Sequence, residues 1–211
     1  MSHDIAFGVI VPVKPPAFAK SRLGGLGERV RRDLAAAFAA DTVAAALRAD
    51  RVALVLAVTD DHRLARDLVA LGADVLPDGT ADDLNQTLVL AASELTRRAP
   101  RLGLAALCAD LPALRPEDLG AALTHAPEDR MGFVADADRI GTTLLTSPTL
   151  DGFRPGFGKH SRSVHLARGA REIEAGDMPS LRRDVDTPSD LAAALRLGIG
   201  PLTSQVAADL F

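Results

Sequence analysis

Short apolar runs and amphipathic stripes alternate along this chain. Ile5 to Val13 is a β-branched apolar run closed by Pro15-Pro16, and it predicts a buried strand. Glu28 to Leu47 carries apolar positions at helical spacing, and Val52 to Val58 predicts a second buried strand that ends in Thr59-Asp60-Asp61. Arg63 to Leu71 reads as a helix with Gly72 as its left-handed terminator. Ala73 to Leu76 follows as a short strand, Leu84 to Ala99 as a helix and Leu102 to Cys108 as another buried strand. Pro116 opens a helix at the position where proline is tolerated, and Met131 to Ala135 and Thr142 to Thr146 are strands around a polar turn. Strands alternating with helices imply an α/β domain with a largely parallel sheet and helices on both faces. No period repeats and no linker divides the chain, so residues 1–211 read as one domain. The stretch 147–183, rich in Gly, Pro and Arg, reads as an irregular elaboration that covers the site.

Composition narrows the partners. Of 211 residues, 47% are apolar and 25% charged, which suits a folded globular chain. Lys and Arg number 24 against 28 Asp and Glu, a net charge of −4, and Trp and Tyr are absent. That removes both the basic field and the stacking residues of a nucleic-acid binder. One cysteine makes no internal disulfide, the first apolar run is too short to span a bilayer, and no cleavable leader precedes it. The expectation is a cytoplasmic protein with small-molecule partners, no nucleic acid and no membrane.

In open parallel sheets ligands bind beyond the carboxyl ends of the strands. The first strand runs into Lys14, Lys20 and Arg22, three cations within nine residues, in a chain that has only one other lysine, Lys159. Such a loop suits a polyphosphate, because each cation can meet a different oxygen; a solvated loop is the alternative. Asp110 follows a buried strand directly, as a turn residue or as a ligand. In Asp184-Val185-Asp186-Thr187-Pro188, Thr187, Pro188 and Asp190 read as a helix cap, which leaves Asp184 and Asp186 without a structural task. Residues two apart in extended chain project to one side, and converging carboxylates call for a cation. With Asp110 they would make an all-oxygen set suited to Mg²⁺. Gly156-Phe157-Gly158-Lys159-His160-Ser161 could hold a second anion, unless Ser161 is simply a helix cap, and Gly141-Thr142-Thr143 offers hydroxyls at a strand start. His160 and His165 make no zinc pattern, Cys108 reads as a small buried apolar residue, and Walker A, Gly-x-Ser-x-Gly and GxGxxG signatures are absent. Together these residues point to a triphosphate, a divalent metal and a second anionic substrate.

The order and spacing of these segments, with Asp83-Leu84-Asn85, resemble the 2-phospho-L-lactate / phosphoenolpyruvate guanylyltransferases of deazaflavin coenzyme F-420 biosynthesis over nearly the whole chain. The resemblance implies a Rossmann-like nucleotidyltransferase fold with a small lid-like extension. It implies an enzyme that joins GMP from GTP to a phosphorylated three-carbon acid and releases pyrophosphate. By the same resemblance Asp110, Asp184 and Asp186 hold Mg²⁺ as two ions, and Lys14, Lys20 and Arg22 are the catalytic cations on the triphosphate. Leu84 and Asn85 lie at the guanine, while Thr142 or Thr143, Gly158 and Ser161 take the acceptor phosphate. The Ala- and Arg-rich composition resembles actinobacterial chains, which within the family favours phosphoenolpyruvate over 2-phospho-L-lactate. The alternatives are the same fold acting on another acceptor such as 3-phosphoglycerate, or a non-catalytic nucleotide-binding module. His160 stands where the family often carries glycine, which narrows the backbone conformations open to that loop.

Overall fold

Strands β1 (Phe7–Pro12), β2 (Val52–Val58) and β3 (Asp74–Leu76) alternate with helices α1 (Glu28–Ala46), α2 (His62–Leu71) and α3 (Leu84–Arg98). Then come β4 (Gly103–Leu107), α4 (Pro116–Thr124), β5 (Gly132–Ala135) and β6 (Thr142–Ser147). The chain closes with α5 (Ser161–Ala167), β7 (Arg171–Glu172), α6 (Pro179–Arg182), α7 (Pro188–Leu197) and α8 (Pro201–Ala208). This computed structural model describes residues 5–13, 26–79, 83–174 and 176–208. Lys14, Lys20 and Arg22 lie outside the described residues.

Among the described residues seven strands pair in the order β3-β2-β1-β4-β6-β5-β7. β6 runs antiparallel to both of its neighbours, and every other pairing is parallel. β1 and β4 carry fully buried residues on both faces, as a parallel sheet covered on two sides requires. On one face Val9, Val11, Ala105 and Leu107 pack with Val43 of α1, Leu64 and Leu68 of α2 and Leu119 of α4. On the other, Ile10, Ala106 and Phe133 pack with Leu88, Ala92 and Leu95 of α3.

The elements expected from the hydrophobic pattern are present, with ends moved by one or two residues. The stretch 147–183 is more regular than its composition suggests, since it contains α5, β7 and α6. β7 is only two residues long and pairs with β5 through Gly132 and Phe133, too short a run to leave a periodic signature.

Candidate active site

From β1 the chain winds outward through β2 and β3, whereas β4 lies on the other side of β1. The carboxyl ends of β1 and β4 therefore part at a topological switch point, where open α/β sheets bind ligands. A cavity of about 260 Å³ opens there. It is lined by Pro12 and Val13 after β1, Ala106 to Asp110 at the end of β4, Leu84 and Leu88 of α3, Phe157, and Asp186. Apolar side chains dominate the lining, and Asp110 and Asp186 are its two carboxylates.

The acidic end is held by hydrogen bonds on both sides of Asp110. Thr42, buried near the C-terminal end of α1, accepts from the Leu111 N–H at 3.1 Å, and its own hydroxyl lies 2.8 Å from the Phe38 carbonyl and 3.2 Å from that of Ala109. The Val185 N–H donates to the Asp110 carbonyl at 3.0 Å, which ties the second acidic segment to the first. Val185 itself is fully buried with Leu34, Phe38 and Leu191, while Asp184 and Asp186 on either side stay partly exposed. Burial, and then the charges of Asp110, Asp136 and Asp186, push the Asp184 carboxyl up to about 7. Carboxylates have thus been gathered within electrostatic range of one another. Among the described residues no three His, Cys, Asp or Glu side chains close into a cage that would hold a metal ion unaided.

Threonines and a glycine loop form the adjoining wall. The β5–β6 register slips so that Val134 faces Leu144 and Ala135 faces Thr142, leaving Thr143 as an extra residue in β6. Such a bulge re-aims side chains near a site. The Thr143 carbonyl accepts from the N–H of Cys108, a residue that lines the cavity. Its hydroxyl is buried and has no hydrogen-bond partner among the described residues. The Thr142 hydroxyl instead lies 2.9 Å from Nδ1 of His165, whose Nε2 accepts from the Gly156 N–H at 3.0 Å. Because Nε2 is the acceptor, the proton resides on Nδ1 and is donated to Thr142. Burial, with Arg168 nearby, lowers the His165 pKa to about 4, so the ring is neutral at pH 7.

One residue further, the Phe157 N–H donates to Asn85 Oδ1 at 2.8 Å and Asn85 Nδ2 donates to the Phe157 carbonyl at 3.0 Å. Gly158 then has φ 138°, and its carbonyl accepts from the Ser161 N–H. Ser161 is the first residue of α5 and not its cap; His160 occupies the cap position with left-handed φ 62° and ψ 30°. At the other end of the wall Asp136, not the exposed Asp138, closes the β5–β6 turn by accepting from the Ile140 and Gly141 N–H groups. A Cβ at position 141 would crowd that carboxylate, so a side chain there would force Asp136 to shift.

A family model described as "Guanylyl transferase CofC like" matches residues 7–205. A phosphoenolpyruvate guanylyltransferase of Thermomonospora curvata is 50% identical over 209 residues, covering 98% of this chain and 92% of its own. Its counterpart in Streptomyces coelicolor is 48% identical over 203 residues, covering 96% of each chain. A nucleotidyl transferase from Methanothermobacter superposes with a TM-score of 0.63 at 19% identity, covering 91% of this chain and 97% of that one, which shows the fold. The chain belongs to the CofC-like guanylyl transferase family. It is a nucleotidyltransferase built on a mostly parallel α/β sheet.

Within this guanylyl transferase some residues singled out from the sequence line the cavity, and others stand next to its lining in the chain or through hydrogen bonds and charge. Asp110, Asp186 and Leu84 line the cavity, and Asp184 is charge-coupled to both aspartates. Thr142 and Thr143 begin β6, and Gly158 and Ser161 are joined by a backbone hydrogen bond in the loop beside it. The Asn85 amide is engaged with the Phe157 backbone and braces the loop. Three residues escaped sequence reasoning. Thr42 lies inside an Ala-rich helix and Asp136 precedes a more conspicuous aspartate, so neither carries a local signal. His165 was visible only as half of an absent zinc pair.

Proposed function

We propose that this chain transfers GMP from GTP to the phosphate of phosphoenolpyruvate, forming enolpyruvyl-diphosphoguanosine and releasing pyrophosphate. The observation that supports the reading is that Asp110 and Asp186 line an apolar cleft between β1 and β4, with Asp184 within charge range of both. The donor set is oxygen only, which matches a hard cation. Mg²⁺ takes one or two carboxylates, keeps waters and completes its shell with substrate phosphates, so an incomplete cage suits it. When bound between these aspartates, Mg²⁺, as two ions, would neutralise the charge on the triphosphate and on the departing pyrophosphate.

The protein's own part is positioning. An oxygen of the acceptor phosphate attacks the α-phosphorus of GTP while the α–β bridging P–O bond breaks, and the electron pair leaves with pyrophosphate. The acceptor is already ionised at pH 7, so the step needs no general base; it needs in-line placement and charge neutralisation. Leu84, Leu88 and Pro12 offer the nucleoside an apolar slot, with Asn85 holding the loop at its mouth. In this reading Lys14, Lys20 and Arg22 meet the triphosphate. Thr142, Thr143, Gly158 and Ser161 take the acceptor phosphate, the buried Thr143 hydroxyl being a donor in want of a partner. Phosphoenolpyruvate is favoured over 2-phospho-L-lactate because relatives at 50% and 48% identity bear that name. Among the described residues no helix is long and apolar enough to cross a membrane.

The test is a panel of GTP or ATP with phosphoenolpyruvate, 2-phospho-L-lactate and 3-phosphoglycerate, read by pyrophosphate release and product mass. GTP with phosphoenolpyruvate should turn over fastest. Asp186→Asn should lose at least about a hundredfold in kcat, roughly 3 kcal/mol, the scale of removing one preorganised electrostatic group. Near-normal turnover by that variant at saturating Mg²⁺ would remove the aspartates from the mechanism.

A further inference from the structure

His165 touches three parts of the wall assigned above to the acceptor. It lies on α5, the helix whose first residue is Ser161, and it is fully buried. Its Nδ1–H reaches the Thr142 hydroxyl on β6, and its Nε2 receives the Gly156 N–H two residues before Gly158. The ring is wedged between Phe133, with centroids 5.9 Å apart, and the edge-on ring of Phe157, at 5.4 Å. Helix, strand and loop therefore meet on one imidazole.

The direction of each hydrogen bond matters. With the ring donating at Nδ1, the Thr142 oxygen is used as an acceptor and its own proton is left to point elsewhere. A phosphate accepts hydrogen bonds and does not donate them when fully ionised, so a hydroxyl oriented as a donor is what an acceptor-phosphate site needs. The opposite tautomer would set the Gly156 N–H against a second N–H and let the Thr142 proton turn toward the ring. The Gly156 bond thus selects the tautomer, and the tautomer selects the polarity of Thr142.

We propose that His165 is a positioning residue of the acceptor site, which sets the donor direction of Thr142 and fixes the Gly156–Gly158 loop against β6 through a single neutral ring. The proposal rests on the acceptor reading of this wall. It assigns His165 no contact with substrate and no proton transfer.

Two conservative variants separate its two bonds. H165Q can keep an acceptor near the Nε2 position for Gly156, and H165N can keep a donor near the Nδ1 position for Thr142. H165F keeps the packing on Phe133 and Phe157 and loses both bonds. Steady-state kinetics should show KM for phosphoenolpyruvate rising about tenfold in each single-bond variant, the worth of one net hydrogen bond, and further in H165F, with KM for GTP within about twofold of normal. In the unmodified protein, ¹⁵N NMR of the imidazole should report a neutral ring protonated at Nδ1 at pH 7. Parallel rises in both KM values, no rise in any variant, or an Nε2-protonated ring would overturn the proposal. Thr143→Val tells the two layers apart. If it raises KM for phosphoenolpyruvate while the His165 variants do not, the positioning role fails and the acceptor site stands. If neither does, the acceptor assignment itself fails.

Discussion

His160 adopts φ 62° and ψ 30° with a full side chain, in a loop whose preceding glycine, Gly158, also has positive φ. An L-residue in the left-handed region costs roughly 1–2 kcal/mol, against the smaller entropy penalty of a glycine there. His160→Gly should therefore stabilise the chain by about 1 kcal/mol, a few degrees in Tm by thermal denaturation. An unchanged or lower Tm would mean that the histidine makes a compensating contact. At this scale the aspartates were legible, because carboxylates after buried strands, or left over by a helix cap, have no cheap structural explanation. His165 was not, since nothing in a local window says which strand or loop an imidazole will meet.

Helix starts are written locally where the cap is the adjacent residue. Asp61 caps α2 by accepting from Arg63 and Leu64 N–H groups, Asp83 caps α3 in the same way, and Thr187 with Asp190 completes a reciprocal cap at α7. α8 is different: Asp41, buried in α1, accepts from the Leu202 and Thr203 N–H groups some 160 residues away in sequence. Thr42, its neighbour, performs the equivalent service for the segment after β4. Thr42→Val would strand the Leu111 N–H and remove the hydroxyl beside the Ala109 carbonyl, at a cost of about 1–3 kcal/mol. Because those peptides flank Asp110, the variant should also need more Mg²⁺ for half-maximal activity, while Thr42→Ser should behave normally. A loss of stability with an unaltered Mg²⁺ requirement would leave Thr42 as a purely structural staple.

Over the whole molecule, two titratable groups act on stability with opposite sign. Asp184 has its pKa raised from 3.8 to about 7, so the folded state holds a proton that the unfolded chain has released. Its ionisation costs stability as pH rises from about 4 to about 7. His165 has its pKa lowered from 6.5 to about 4, so stability is lost as pH falls through that window, where the unfolded chain takes up the proton. The two slopes oppose each other between about 4 and 6.5, and a variant difference is needed to separate them. In metal-free protein the Tm advantage of Asp184→Asn should grow from pH 5 to pH 7.5, and Mg²⁺ should shrink it by supplying the missing counter-charge. An advantage independent of pH would show that Asp184 is not held protonated. The hydrophobic pattern by itself determined the order of strands and helices, and therefore a parallel sheet with chemistry at its carboxyl rim. A run such as Val52–Val58 carries the β-branched apolar composition of a strand, and its second half, Val55 to Val58, is buried. The tertiary structure alone decided the β6 bulge at Thr143, the loop bracing by Asn85 and the three-way contact of His165. Those features depend on the register between strands and on which side chains meet across distant segments, and neither quantity is encoded in any local stretch of chain.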